Sequence, residues 1–149
     1  NIYYQGVDLT KAIYIFLSNT GSREISLKMR DHFEAGLKRE EVTLKEMEET
    51  IEKIAFNSEG GFAQSRLIDH NVVSHFVPFL PLRAEHVRDC IRTTLRKRFP
   101  SFHASEDVVD SVLQYLQFAP KDSRLFALKG CKNVDEKVLL VYHQLRKEL

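Results

Sequence analysis

Apolar and polar positions along this chain follow two different rules. From Ala12 to Asn19 the run "AIYIFLSN" is continuously apolar and rich in β-branched and aromatic residues, and it stops at the turn formers "SNTGS". That pattern predicts a strand buried on both faces within a parallel sheet. A second apolar run, His75 to Leu80, predicts another strand, with Pro78 marking an edge or a strand end and Pro81 closing it.

Elsewhere the spacing is helical. "REISLKMRDHFEAGLK" puts Ile25, Leu27, Met29 and Phe33 at helical intervals and ends at Gly36, followed by Lys38 and Arg39. Thr43 and Glu46 form a T-x-x-E capping box ahead of a helix with Leu44, Met47, Ile51 and Ile54 on one face. After the Gly60-Gly61 break a short helical stretch is expected around Leu67 to Val72. Downstream of Pro81 three helices are expected. Val87, Ile91 and Leu95 stripe the first. Val108, Val112, Leu113 and Leu116 face inward on the second, with Ser105 as N-cap. Val134, Val138, Val141, Tyr142 and Leu145 supply the third. The expected fold class is therefore α/β followed by α: residues 1–81 as part of an α/β unit with parallel strands, and residues 82–149 as a small helical unit.

Composition narrows the function classes. The chain has 149 residues, and Lys plus Arg (22) nearly balance Asp plus Glu (21), so no global charge draws it to nucleic acid or acidic lipid. Arg88, Arg92, Arg96, Lys97 and Arg98 make one helix basic, which reads first as a solvated face. Apolar runs are too short to span a membrane and no secretory leader pattern opens the sequence. The opening "NIYYQGVDL", without a methionine, reads as a piece of something longer. The closing "RKEL" has a base where a lumenal retention signal has an acid.

An α/β unit leading into a helical one invites a search for a nucleotide site. The P-loop pattern is absent, because the glycines at 6, 21, 36, 60, 61 and 130 never fall at its spacing. Two residues fit the complementary half of such a site. Asn19 ends the predicted strand, where open α/β sheets place their ligand crevice, and its amide either orients a water beside a phosphate or simply caps a turn. Lys132, in "KGCKNVDEKV", stands near a helix start, where a cation is disfavoured unless an anion binds there; its other reading is a solvated loop lysine.

Cys90 borders an apolar stripe and reads as a small core residue, while Cys131 beside Lys132 at a helix N-terminus has the surroundings of a reactive thiol. His86 and Cys90 offer only two of the four ligands a structural zinc needs, so no metal site is expected.

The segments "KAIYIFLSNTG", "GFAQSRLIDHNVVSHFVPFLPL", "EHVRDCIR" and "KGCK" occur in the order found in torsins, AAA+ ATPases of the endoplasmic reticulum and nuclear envelope lumen, and the chain resembles that family over essentially its whole length. The resemblance implies the end of an AAA+ nucleotide-binding subdomain followed by a helical lid. It implies that Asn19 is the sensor 1 asparagine, and that Lys132, within Gly130-Cys131-Lys132, is the sensor 2 lysine reporting the γ-phosphate of ATP bound with magnesium by other parts of the parent protein. It also implies a Cys90–Cys131 disulfide in an oxidising lumen, closing a loop of about 41 residues and worth roughly 4 kcal/mol in the chain-entropy account.

Clp-type ATPases carry an arginine finger in a related segment, where this chain has Asn71 and Val72, and Arg66 nearby reads as a surface residue. Loss of a finger removes a contact worth roughly 10³ to 10⁵ in rate. The resemblance therefore implies a membrane-anchored activator of the lamina-associated polypeptide type that supplies it, in a homo- or hetero-oligomer. This chain alone, lacking Walker A and B, is expected to be inactive. The competing class is a non-catalytic interaction module derived from an AAA+ protein.

Overall fold

The structure, a computed structural model, describes residues 3–8, 12–57 and 73–147. A two-stranded antiparallel hairpin comes first, β1 (Tyr3–Tyr4) with β2 (Val7–Asp8), in the register Tyr3 to Asp8 and Tyr4 to Val7. Helix α1 (Ser22–Glu34), a single 3-10 turn (Arg39–Glu41) and helix α2 (Leu44–Asn57) follow. The C-terminal part contains α3 (Ala84–Arg98), α4 (Glu106–Gln114), a second hairpin of β3 (Phe118–Ala119) and β4 (Phe126–Ala127), and α5 (Val134–Leu145).

Each predicted helix that falls on described residues is present. At α2 the capping box closes: the Thr43 N–H and hydroxyl donate to the Glu46 carboxylate (3.2 and 2.9 Å), and the Glu46 N–H donates back to the Thr43 hydroxyl (3.3 Å). Lys28 ties α1 to α2 by donating to the Glu46 carbonyl (2.5 Å) and the Thr50 hydroxyl (3.0 Å). Ser105 stands at the N-cap of α4, but its hydroxyl makes no capping bond. The acids Glu106 and Asp107 occupy that first turn instead, where a helix N-terminus favours negative charge.

The core belongs to the C-terminal part. Helices α3, α4 and α5 pack pairwise. Val87, Ile91 and Leu95 meet Val109 and Val112 from α4 and Val134, Val138 and Val141 from α5, all essentially inaccessible to solvent. The stripes of α3 and α5 are those read from the sequence, but on α4 Val112 is joined in the core by Val109, which the reading missed, while Val108 and Leu113 are only half-buried. Ion pairs bind the outer surfaces. Arg92 grips Glu106 with Nε and Nη2 (3.0 and 2.8 Å), Arg88 pairs with Asp110, and Arg98 reaches Asp135 of α5 (2.8 and 2.5 Å). Three of the five cations of the basic α3 face are thus spent on holding the bundle together.

Neither predicted strand forms. Residues 12–19 carry no regular structure, and Ile13, Ile15 and Leu17 are 91%, 79% and 84% exposed. Residues 73–83 are likewise irregular, although Phe76, Pro78 and Leu80 are half-buried while Val77 and Phe79 point outward, the alternation of an extended segment. The reason is pairing: a parallel strand gets its backbone hydrogen bonds only from neighbouring strands, and the sheets among the described residues are the two antiparallel hairpins. The fold is therefore mainly helical with two short hairpins. The helix expected around Leu67 to Val72, together with Arg66 and Asn71, lies outside the described residues.

Candidate functional site

The Gly-Cys-Lys stretch lies between β4 and α5, and the chain there is held on several sides. The Gly130 N–H donates to the Ala127 carbonyl (3.4 Å), Lys132 N–H to Lys129 (3.0 Å), and Val134 N–H to Cys131 (3.2 Å), so residues 127–134 form successive turns. Gly130 has φ +52, a left-handed conformation that other residues rarely adopt, and a Cβ there would stand 3.6 Å from Leu82 Cδ1. Cys131 is joined to Cys90 of α3 by a disulfide, with Cα atoms 6.1 Å apart. Both cysteines are therefore structural, and the alternative of a reactive thiol at Cys131 is set aside.

Lys132 lies outside the helix proper. Asn133 is the N-cap and Val134 the first helical residue of α5. The Lys132 side chain is exposed and has no hydrogen bond or ion pair among the described residues. The acids Asp135 and Glu136 satisfy the first turn of α5, and Asp135 is already taken by Arg98. That bond, followed by charge attraction to Asp135, raises the Arg98 pKa. The counter-charge of Lys132 is thus not a carboxylate of its own helix.

Beside this turn opens a cavity of about 160 Å³, lined by Lys129, Gly130, Asn133 and Lys137 on one side and Tyr115, Leu116 and Gln117 on the other. Among the described residues no acidic one lines it, and two lysines do. Lys129 and Lys137 were not singled out in the sequence; only their spacing around the Gly-Cys-Lys signature could have drawn attention to them.

Asn19 belongs to a different stretch of the chain. It closes the exposed extended segment two residues before Gly21, the N-cap of α1, and no hydrogen bond joins it to the Gly-Cys-Lys turn among the described residues. Its neighbours make the turn, with Ser18 donating to the Thr20 hydroxyl (2.9 Å) and accepting from the Thr20 N–H (3.1 Å). The structure therefore brings together Cys90, Gly130, Cys131 and Lys132, and no hydrogen bond among the described residues joins Asn19 to them. No cluster of three or more His, Cys, Asp or Glu side chains suited to a metal occurs among the described residues, and no described helix is long and apolar enough to cross a membrane.

Fold and site together define a disulfide-stapled three-helix domain behind a helical segment with exposed apolar arms. Residues 82–142 match the family model described as Torsin-1A, C-terminal domain. A "Torsin-like protein" of Caenorhabditis elegans is 41% identical over 142 residues, covering 95% of this chain and 40% of that protein. A "Torsin-like protein" of Drosophila melanogaster is 32% identical over 145 residues, 96% of this chain and 43% of that protein. Torsin-3A of Rattus norvegicus is 31% identical over 137 residues, 91% of this chain and 34% of that protein. The chain belongs to the torsin family. It spans between 34% and 43% of the length of these relatives.

Proposed function

We propose that this chain supplies the helical lid and the phosphate-sensing residues of a torsin-type AAA+ ATPase, with residues 1–81 completing an α/β nucleotide-binding subdomain and residues 82–149 forming the lid. The carrying observation is Lys132: a cation without a protein partner among the described residues, set on a turn fixed by the Cys131 disulfide on one side and by Leu82 against Gly130 on the other. A lysine carried on a fixed turn just ahead of a helix start, with Asp135 already paired to Arg98, suits an anionic group such as the terminal phosphate of ATP.

These residues fit only the phosphate end of the nucleotide. With no P-loop in the sequence and no carboxylate cluster among the described residues, a Walker lysine and the magnesium-binding acid belong to another part of a longer chain. ATP with magnesium supplies the phosphoryl chemistry when bound there; Lys132 senses its charge as sensor 2, with Gly130 and Cys131 fixing the turn. Asn19, as sensor 1, orients the attacking water once strands from the rest of the protein pair with residues 12–19. The apolar surface of Ile13, Ile15 and Leu17 supports that pairing.

The activator is a membrane-anchored protein of the lamina-associated polypeptide type that brings an arginine finger to the oligomer. The compartment is the endoplasmic reticulum lumen and perinuclear space, which the disulfide supports because such bonds persist in oxidising surroundings. The work is chaperone-like remodelling.

The test is ATP affinity of the full-length protein. Lys132→Ala is expected to weaken it roughly tenfold, the order of one charge-assisted contact to phosphate, with the melting temperature unchanged. Unchanged affinity removes the sensor role. The 149-residue chain alone is expected to bind no ATP, and tight binding by it overturns the division of the site between two parts of the protein.

A further inference from the structure

The segment joining the two parts of the molecule has no regular structure of its own, yet every carbonyl from Leu80 to Arg83 is taken. Arg39 donates Nη1 to the Pro81 carbonyl (2.6 Å) and Nη2 to the Leu80 carbonyl (3.3 Å), reaching across 42 and 41 residues. The Ala127 N–H of β4 donates to the Leu82 carbonyl (2.8 Å), and the Val87 N–H to that of Arg83 (3.2 Å) as α3 begins. Leu82 also lies against Gly130 of the Gly-Cys-Lys turn. A short path thus runs from the 3-10 turn through Arg39, the 80–82 carbonyls and Leu82 to the residue two before Lys132.

Arg39 is well held for such a task. It is half-buried and opens the 3-10 turn Arg39–Glu41, which is closed by the Lys38 N–H donating to the Glu41 carboxylate and by the Glu41 N–H donating to the Lys38 carbonyl (3.1 Å). Its planar fork reaches two successive carbonyls at once, a geometry the single ammonium of lysine cannot reproduce. One further contact runs in parallel. Phe33 of α1 faces Phe126 of β4 at 6.0 Å between ring centres, with the Arg83 guanidinium 4.6 Å over its ring. Phe33 sets how near the two parts stand. Arg39 holds two successive carbonyls at the end of the connecting backbone, while Glu48 of α2 accepts from the Phe76 N–H (3.4 Å) nearer its start.

We propose that Arg39 is a positioning residue: by holding the Leu80 and Pro81 carbonyls it fixes, through Leu82, where the Gly130–Lys132 turn stands relative to α1 and α2. Its consequence for nucleotide affinity rests on the sensor reading of Lys132; its consequence for the backbone does not.

The experiment compares Arg39→Met and Arg39→Lys with the parent in the full-length protein, reading amide hydrogen exchange and ATP affinity. Arg39→Met keeps much of the apolar stem and loses both donors. It is expected to speed exchange at the Ala127 and Lys132 amides by at least about tenfold, only part of what two lost charge-assisted bonds would release if fully transmitted as local opening, while exchange within α3 and α5 stays as in the parent. Arg39→Lys, able to hold one carbonyl, is expected to fall between the two. ATP affinity should drop about threefold to tenfold in Arg39→Met, and not further when Lys132→Ala is already present, as two groups acting through one contact are non-additive.

Unchanged exchange at Ala127 and Lys132 overturns the proposal. So does faster exchange spread evenly over α1, α2 and the bundle, which is the signature of plain destabilisation. If Lys132→Ala alone leaves ATP binding intact, the sensor reading fails while the exchange result still decides the role of Arg39.

Discussion

Residues 84–145 and residues 12–57 contain equally apolar stretches and handle them in opposite ways. In the C-terminal bundle the stripes of α3, α4 and α5 close on one another, and Val87, Ile91, Val112 and Val138 are wholly excluded from solvent. In the N-terminal part Ile25, Met29 and Met47 are buried, while Ile13, Ile15 and Leu17 stand in water. The difference lies in where the partners are. A helix makes its backbone bonds internally and needs only an apolar face to dock, and three such helices within about sixty residues suffice for a core. A parallel strand needs other strands for its backbone as well as cover for both faces.

The largest expected break in this contrast is loss of the disulfide. The bond spans 41 residues, and removing a cross-link over that distance costs about 4 kcal/mol in the chain-entropy account. Reduction, or Cys90→Ser, should lower the melting temperature of the bundle markedly. α1 and α2 should be less affected, as judged by hydrogen exchange on each helix. Equal loss in both regions would mean that they unfold as one unit and that the bundle has no stability of its own.

Core substitutions come next. Ile91→Ala removes a fully buried side chain from the centre of the bundle and should cost about 2 to 5 kcal/mol in denaturant unfolding. Ile15→Ala removes the same atoms from an exposed position and should change the stability of this chain by less than about 0.5 kcal/mol. In the full-length protein the second value should rise towards the first if residues 12–19 enter a sheet there. An Ile15→Ala cost that stays near zero in the full-length protein would remove the paired-strand reading of that segment.

Legibility in the sequence followed the same divide. The stripe Val87, Ile91, Leu95 and the capping box Thr43–Glu46 could be read directly, because each rests on contacts three or four residues apart. The run from Ala12 to Asn19 has a strand's composition, but its outcome depends on chains of contact not local to it. The β3–β4 hairpin went unread because strands of two residues show no period, although Pro120 and the polar Lys121-Asp122-Ser123 between two Phe-Ala pairs mark a turn. At the site, the Cys90–Cys131 pairing was reached through family resemblance; 41 residues of separation carry no local signal of it. The Arg39 contact with Leu80 and Pro81 was not legible at all, since an arginine after a helix end looks like a solvated cation until the backbone carbonyls it meets are known.

The smallest effect separates two carboxylates at helix starts, one in each region. The Glu46 carboxyl is held below its ordinary value of 4.5 chiefly by the hydrogen bond from the Thr43 backbone, then by the Thr43 hydroxyl. Glu106 is held below the same value chiefly by the hydrogen bond from Arg92, with the charges of Arg92 and Arg88 adding to it. A depressed folded pKa means that each contribution is present above the unfolded pKa and is lost as pH falls through the folded one, so both helices weaken on acidification below the usual glutamate range.

Salt should tell them apart. At about 1 M ionic strength the screening length is near 3 Å, which weakens an exposed ion pair such as Arg92–Glu106 far more than a short bond between neutral donors and a carboxylate. A side-chain NMR titration in added salt should therefore move Glu106 up towards its ordinary value and leave Glu46 nearly where it was. Equal movement would show that α2 owes its start to the charges of Lys28 and His32 rather than to Thr43, and that the two regions begin their helices by the same means.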